Sequence, residues 1–232
     1  MSETEKIRER YARRRSLPAE RYSYESVDYM FMMQQREQRA LRILRQEKLF
    51  PLEGKRILDV GCGMGGWLRD CLKWGARPSN LYGLELLAER VEILRRLSPN
   101  LNIVQGNGES LPFVGQSFDL IILSMVVADI FEAEMSRRLT QETLRVLRPD
   151  GTILWYDLRY NNPANPDVHA VTRSDIHSLF PGCRVQLEPA TLAPPISRRL
   201  AHISLLGCYL LEKIPLLCSH YLGIIQKRDT SG

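Results

Sequence analysis

This 232-residue chain has no uninterrupted apolar run long enough to span a bilayer. Its longest apolar stretch, Ile203 to Ile225, is broken by Glu212, Lys213, Pro215, Ser219 and His220, so integral membrane association is not expected. The charged N-terminal stretch Glu3 to Arg15 is followed by no apolar segment of the kind a secretory signal needs. Five cysteines (62, 71, 183, 208, 218) are scattered without a C-x-x-C pair, which points to reduced thiols in a cytoplasmic setting. Internal repeats, a zinc-ligand cluster, an RNA-recognition motif and a basic stripe with regular aromatics are all missing, so nucleic acid is not an expected partner despite the formal net charge of +5. A good part of that excess sits in Lys6 to Arg15, which reads as a solvated helix with interspersed glutamates.

What is present is a glycine-rich turn between a strand and a helix. Arg56 to Val60 is an apolar strand pattern, Gly61, Cys62, Gly63, Met64, Gly65 and Gly66 form the turn, and Trp67-Leu68 opens an amphipathic helix. Glycines at 61, 63 and 65 or 66 let the backbone turn sharply and leave no Cβ to obstruct a ligand lying across it. The spacing satisfies both G-x-G-x-x-G and G-x-G-x-G, and Glu85 lies at the distance expected of a ribose-binding acid. Spacing by itself therefore leaves NAD and other adenosine cofactors open. Asp59, two positions before the first glycine, is the discriminating residue: a carboxylate there disfavours an anionic pyrophosphate and favours a cationic or neutral ligand.

Leu58 to Gly65 (L-D-V-G-C-G-M-G) closely resembles the first motif of the class I S-adenosylmethionine (SAM) methyltransferases. Three further blocks resemble that family in the same order: Asn80 to Glu85, then Gln105 to Phe113 with Ser117 to Ser124, then Arg145 to Leu154. The resemblance covers residues 50 to 160 strongly. It implies SAM as cofactor, with Asp59, Gly61, Cys62 and Gly63 in the turn and Cys62 a small filler rather than a nucleophile. It implies that Glu85, with Leu86 beside it, bonds both ribose hydroxyls, two donors meeting two acceptor oxygens. Where the family has an acid for the adenine amino group this chain has Asn107, followed by Gly108 and Glu109; the Asn107 carbonyl oxygen can accept the same bond. Ser124 and Met125, at the end of the fourth strand, are expected beside the methionine end of SAM.

Strand patterns near 56–60, 81–85, 102–105, 118–124 and 152–157 alternate with helix patterns near 66–75, 87–97 and 135–147. The expected fold is α/β, a doubly wound, seven-stranded, mostly parallel, Rossmann-like sheet with a helical N-terminal extension and an insertion before the last strand. Two units are expected, an extension or lid over 1–50 and a single compact domain over 51–232. A helix pattern runs from Met33 to Phe50, preceded by the aromatic and methionine-rich segment Tyr22 to Met33, which is read either as a lid or as core packing. Past the fifth strand lie the Asp157 to His169 loop, a helix near 173–180, a strand near 183–187, an insertion from Pro189 to Pro215 and a last strand from His220 to Lys227, antiparallel in the resembled family.

The function expected is methyl transfer to a small-molecule acceptor at oxygen: a natural product, a saccharide or a lipid-linked precursor. Two alternatives stay open, an RNA or protein methyltransferase using the basic N-terminal stretch and a non-catalytic SAM- or nucleotide-binding domain. Alignment in a dry pocket supplies much of the rate of such a displacement, and an oxygen acceptor also calls for a general base. Of the four histidines His169, His177, His202 and His220, His169 in the loop beyond the fifth strand is the best placed, and Asp129 and Asp157, after the fourth and at the end of the fifth strand, are the alternatives. No carboxylate cluster suggests a metal site, and the oligomeric state is not readable from the sequence.

Overall fold

The structure, a computed structural model, describes residues 1–14, 23–162 and 165–228. Helices α1 (Glu3–Arg14) and α2 (Val27–Gln46) precede the sheet. Strand β1 (Ile57–Val60) is followed by α3 (Gly66–Lys73), β2 (Leu81–Glu85), α4 (Ala88–Leu97), β3 (Asn102–Gln105), β4 (Phe118–Ser124), α5 (Ala133–Val146) and β5 (Leu147–Leu158). Then come α6 (Arg173–Leu179), β6 (Arg184–Leu192), α7 (Pro194–Leu200), α8 (Leu205–Leu211) and β7 (Cys218–Gln226).

Among the described residues seven strands form one sheet in the order β3-β2-β1-β4-β5-β7-β6. The β1, β2, β3, β4 and β5 pairings are parallel, and β7 runs antiparallel to both β5 and β6. The chain steps outward from β1 to β3 through α3 and α4, then returns to β4 and steps the other way through α5. The strand order reverses between β1 and β4, and a crevice opens at that reversal on the carboxyl edge of the sheet.

Alternation along each strand feeds two cores. Val60, Ile121, Leu123, Ile153 and Trp155 pack with Met135 and Leu139 of α5 and with Ile176 and Phe180 at α6. Ile57, Leu120, Ile122, Leu154 and Tyr156 pack on the other face with Leu44 of α2, Trp67 and Leu68 of α3, and Val91 and Leu94 of α4. Burial on both faces explains why these strands read as continuous apolar runs.

Three elements depart most from the sequence reading. The fifth strand begins at Leu147 rather than 152, because Phe118 pairs with Leu147 before the register shifts to Leu120 and Thr152. The sixth strand runs on to Leu192, pairing with β7 from Arg184 to Ala190 and again at Leu192, so the insertion starts only at α7. The α2 helix spans Val27–Gln46 rather than 33–50: Val27, Phe31 and Met32 of the aromatic and methionine-rich segment are its first turns and pack with Leu192, Ala201 and Cys208.

Candidate functional site

The glycine turn leaves β1 with Gly61 at φ 71° and Gly63 at φ 54°, a left-handed conformation that side chains other than glycine adopt at a cost. The Gly61 and Cys62 amides both donate to the Leu84 carbonyl, at 2.8 and 2.9 Å, so the turn is tied to the end of β2. Glu85 completes the tie. One carboxylate oxygen accepts from the Gly63 amide at 2.8 Å and the other from the Leu87 amide at 2.9 Å, and the residue is 4% exposed. A carboxylate has about four acceptor positions, so two remain for further donors.

A cavity of about 610 Å³, counting its open mouth, lies over this turn. It brings together Gly61, Glu85, Leu86, Asn107, Gly108, Glu109 and Met125 of the residues expected at a cofactor, together with Asp129. Asp59, Cys62, Gly63 and Ser124 are not part of its lining. The rest of the lining is mostly apolar, with Val60, Leu84, Val126, Ile130, Met135 and Leu139. The Asn107 amide nitrogen sits 3.4 Å from a Glu109 oxygen, while the other Glu109 oxygen accepts from Arg138 at 2.7 Å.

Two lining residues, Ile7 and Tyr11, come from α1. The solvated-helix reading of Lys6 to Arg15 is corrected here, because the helix is held against the protein by its own basic and aromatic side chains. Arg10, 8% exposed, donates to Glu3 at 2.7 Å and to the Asp129 carbonyl at 2.6 Å. The Tyr11 hydroxyl donates to one Asp129 carboxylate oxygen at 2.5 Å, and Arg14 to the other at 2.7 Å. Burial and the Asp129 carboxylate push the Tyr11 phenol up, so it stays protonated and donates. Arg13 pairs with Asp167 at 2.5 Å. Tyr24 and Tyr29 pack edge to face on each other, and neither they nor Met30 to Met33 line this cavity; Tyr22 lies outside the described residues.

Beside the turn, on the α2 side of the sheet, lies a buried polar cluster. Asp59 is 1% exposed and its Oδ2 has no partner; burial, reinforced by Glu85 and opposed by Arg36, pushes its carboxyl up to about 8. The Arg36 guanidinium of α2 stacks 4.0 Å from the Trp67 ring and donates to Asp70 at 3.2 Å, while Arg36 Nε and Trp67 Nε1 are also without partners. Trp67 meets Tyr156 edge to face at 6.5 Å, and Tyr156 stacks flat on His220 at 4.7 Å. Burial, with Arg36 adding to it, pushes the His220 ring down to about 3, so it is neutral near pH 7. Arg36, Trp67 and Tyr156 were not among the expected site residues. Within the cluster only Asp59 and His220 carried a sequence signal, and the surroundings of Asp59 come from four separate elements.

The three expected general bases part company. Asp129 lines the cavity but its carboxylate holds Tyr11 and Arg14. Asp157, 1% exposed, accepts from the backbone amides of Val127, Ala128 and Leu158 at 3.1, 3.1 and 2.9 Å, and burial pushes it up to about 7. These bonds shape the 3₁₀ turn Val127–Asp129 that carries Asp129 into the cavity wall. His169 is fixed through its amide to the Ala128 carbonyl at 3.0 Å and its ring lies 5.0 Å from that of Phe131, with Nδ1 unpartnered. It stands behind the lining rather than in it. Among the described residues no group of three or more His, Cys, Asp or Glu is arranged to hold a metal ion, and no helix is long and apolar enough to cross a membrane.

Residues 57–151 match a family model described as a methyltransferase domain. The chain is 39% identical over 113 residues to phthiotriol/phenolphthiotriol dimycocerosates methyltransferase 1 of Mycobacterium ulcerans, covering 48% of this chain and 40% of that protein. It is 37% identical over 110 residues to a fatty-acid O-methyltransferase of Mycolicibacterium smegmatis, covering 47% and 39%. The matched segment thus spans about two-fifths of the length of these curated relatives. The fold is similar to that of a SAM-dependent methyltransferase from Mesorhizobium loti, with a TM-score of 0.60 at 19% identity over 83% of this chain and 98% of that one.

Proposed function

We propose that the protein, whose residues 57–151 match a methyltransferase-domain model, is a class I SAM-dependent methyltransferase that transfers the SAM methyl group to a hydroxyl oxygen of a small, lipid-like acceptor. The observation that carries the cofactor half of this reading is the buried, unpartnered carboxylate oxygen of Asp59, with Arg36, whose Nε is also unpartnered, close enough for its charge to act on that carboxyl. An amino-acid group answers both: its ammonium pairs with Asp59 and its carboxylate with Arg36, whereas a pyrophosphate would meet the Asp59 charge. The free acceptor positions of Glu85 suit a ribose diol, and the apolar cavity between Leu84, Val60 and Leu139 suits an adenine with Asn107 at its edge. Bound there, SAM supplies an electrophilic methyl group for an in-line displacement. The chain's own part is alignment and exclusion of water, with α1 as the cavity's cover.

The lipid-like acceptor is supported by the two curated relatives, whose names place their own activity on dimycocerosates and on fatty acids. The RNA or protein alternative loses part of its main feature, because Arg10 and Arg14 are engaged with Glu3 and Asp129. For an oxygen acceptor, His169 is the candidate base that keeps an unpartnered ring nitrogen, while Asp129 fastens α1 and Asp157 sets the turn behind it.

Calorimetry tests the reading. Asp59 stands at about 8 in the free protein and is therefore mostly protonated at pH 7, and a ligand ammonium favours its carboxylate. S-adenosylhomocysteine should bind with release of close to one proton at pH 7, read as an enthalpy that differs between phosphate and Tris, and its affinity should rise from pH 6 toward pH 8. Asp59→Asn should abolish the buffer dependence and weaken binding. Heat with NAD and none with S-adenosylhomocysteine would overturn the proposal.

A further inference from the structure

Between β6 and β7 the chain forms a helical hairpin, α7 and α8, which departs from the carboxyl edge of the sheet. Leu192 at the end of β6 pairs with Cys218 at the start of β7, and His220 of β7 pairs with Leu158, the last residue of β5. The inner side of the hairpin is held in place. Ala201 and Cys208 pack with Leu192 and with Phe31 of α2, and the Ser204 hydroxyl caps α8 by accepting from the Gly207 amide.

The outer side is apolar and open. Seven of the fifteen exposed large hydrophobic side chains among the described residues fall between 203 and 216, and the other eight are spread over the rest. Ile203 is 83% exposed, Leu206 67%, Leu210 59% and Leu216 77%. A soluble surface tolerates isolated apolar residues, but a contiguous patch marks an interface.

The charges around the patch are of one sign. Arg198, Arg199 and Lys213 are exposed, and the one acid of the segment, Glu212, is 2% exposed and held by the Thr191 amide at 3.2 Å and by Arg39. Lys213 Nζ lies 4.3 Å over the Tyr209 ring, and Arg198 reaches Asp28 of α2 at 3.7 Å. Leucine and isoleucine tips, an amphipathic tyrosine and a cationic rim are the chemistry of a helix lying in the headgroup layer of a bilayer. A second copy of this chain fits less well, since a two-fold contact through this patch would bring cationic rims together with no exposed acid between them.

We propose that the α7–α8 hairpin docks on an anionic lipid surface, presenting the carboxyl edge of the sheet, and the cavity on it, to the membrane. Docking is read without cofactor or acceptor, so its outcome is independent of the S-adenosylhomocysteine titration above.

The full chain is cosedimented with vesicles of phosphatidylcholine containing about one-third phosphatidylglycerol, and with phosphatidylcholine alone. Binding to the anionic vesicles, weakened by salt, is expected. The double substitution Leu206→Glu, Leu210→Glu alters only exposed positions and should cut partitioning at least about tenfold with an unchanged melting temperature. Arg199→Ala and Lys213→Ala should each weaken it about fivefold on anionic vesicles. Absence of binding, or binding unaffected by the two glutamates, overturns the proposal. So does sedimentation equilibrium showing a dimer that the glutamates dissolve, which would assign the patch to a second copy.

Discussion

Glu85 serves the fold and the cavity at once: with both oxygens it anchors the Gly63 and Leu87 amides, and it lines the cavity. Glu85→Ala should lower S-adenosylhomocysteine affinity by about 1.5–3 kcal/mol, the range for hydrogen bonds to a charged group. It should also lower the melting temperature, because two backbone amides lose their acceptor in a buried turn. Calorimetry and a thermal melt read the two effects separately, and an unchanged affinity would remove Glu85 from the ligand. Asp157 contrasts with it. All the hydrogen bonds the structure gives its carboxylate come from backbone amides, which suits a residue that positions the segment following β4.

Among the elements, α1 is attached differently from the rest. Its buried residues are Glu3, Ile7 and Arg10, so Ile7, the partly buried Tyr11 ring and a set of ion pairs hold it in place. An element with so little apolar burial opens at low free-energy cost, and a cavity that must admit a ligand and release a product needs such an element over its mouth. Amide hydrogen exchange over residues 3–14 should be fast in the free protein and slow with S-adenosylhomocysteine bound, while α2, packed against β6, β7 and α7, stays slow in both. Deleting residues 1–14 should weaken binding and leave the sheet folded, since β1 begins at Ile57. Equal exchange with and without ligand would make α1 a static wall.

For the whole molecule, the buried acids dictate an unusual dependence of stability on pH. Asp59 and Asp157, at about 8 and about 7, lie above their unfolded value of about 3.8, so between those values the native state holds protons that the unfolded chain has lost. Their stabilisation is complete below pH 4 and disappears as pH climbs to 8. His220 acts in the opposite sense: at about 3 it is neutral when folded, and its penalty is gone once pH passes the unfolded value of about 6.5. Above pH 6.5 the two aspartates dominate the dependence. Denaturant melts should therefore show stability falling by about 2 kcal/mol from pH 6.5 to pH 8, with the decline reduced in Asp59→Asn. A rise over that window would contradict the buried protonated carboxyls.

The local signals in the chain determined the strands β1 to β4, the glycine turn, the placement of Glu85 at a strand end and the doubly wound order, because each rests on short-range periodicity or on a backbone angle open to glycine. The antiparallel last strand followed from resemblance to a family. Tertiary structure alone decided that α1, rather than the Tyr24 to Met33 segment, borders the cavity, since burial of Ile7 and the Tyr11 bond to Asp129 join residues more than a hundred positions apart. It alone set Arg36 beside Asp59, stacked His220 on Tyr156 and prolonged β6 to Leu192 along β7. Contacts of that kind depend on which faces meet once the sheet has closed its layers. No pattern within a single helix or strand carries that information.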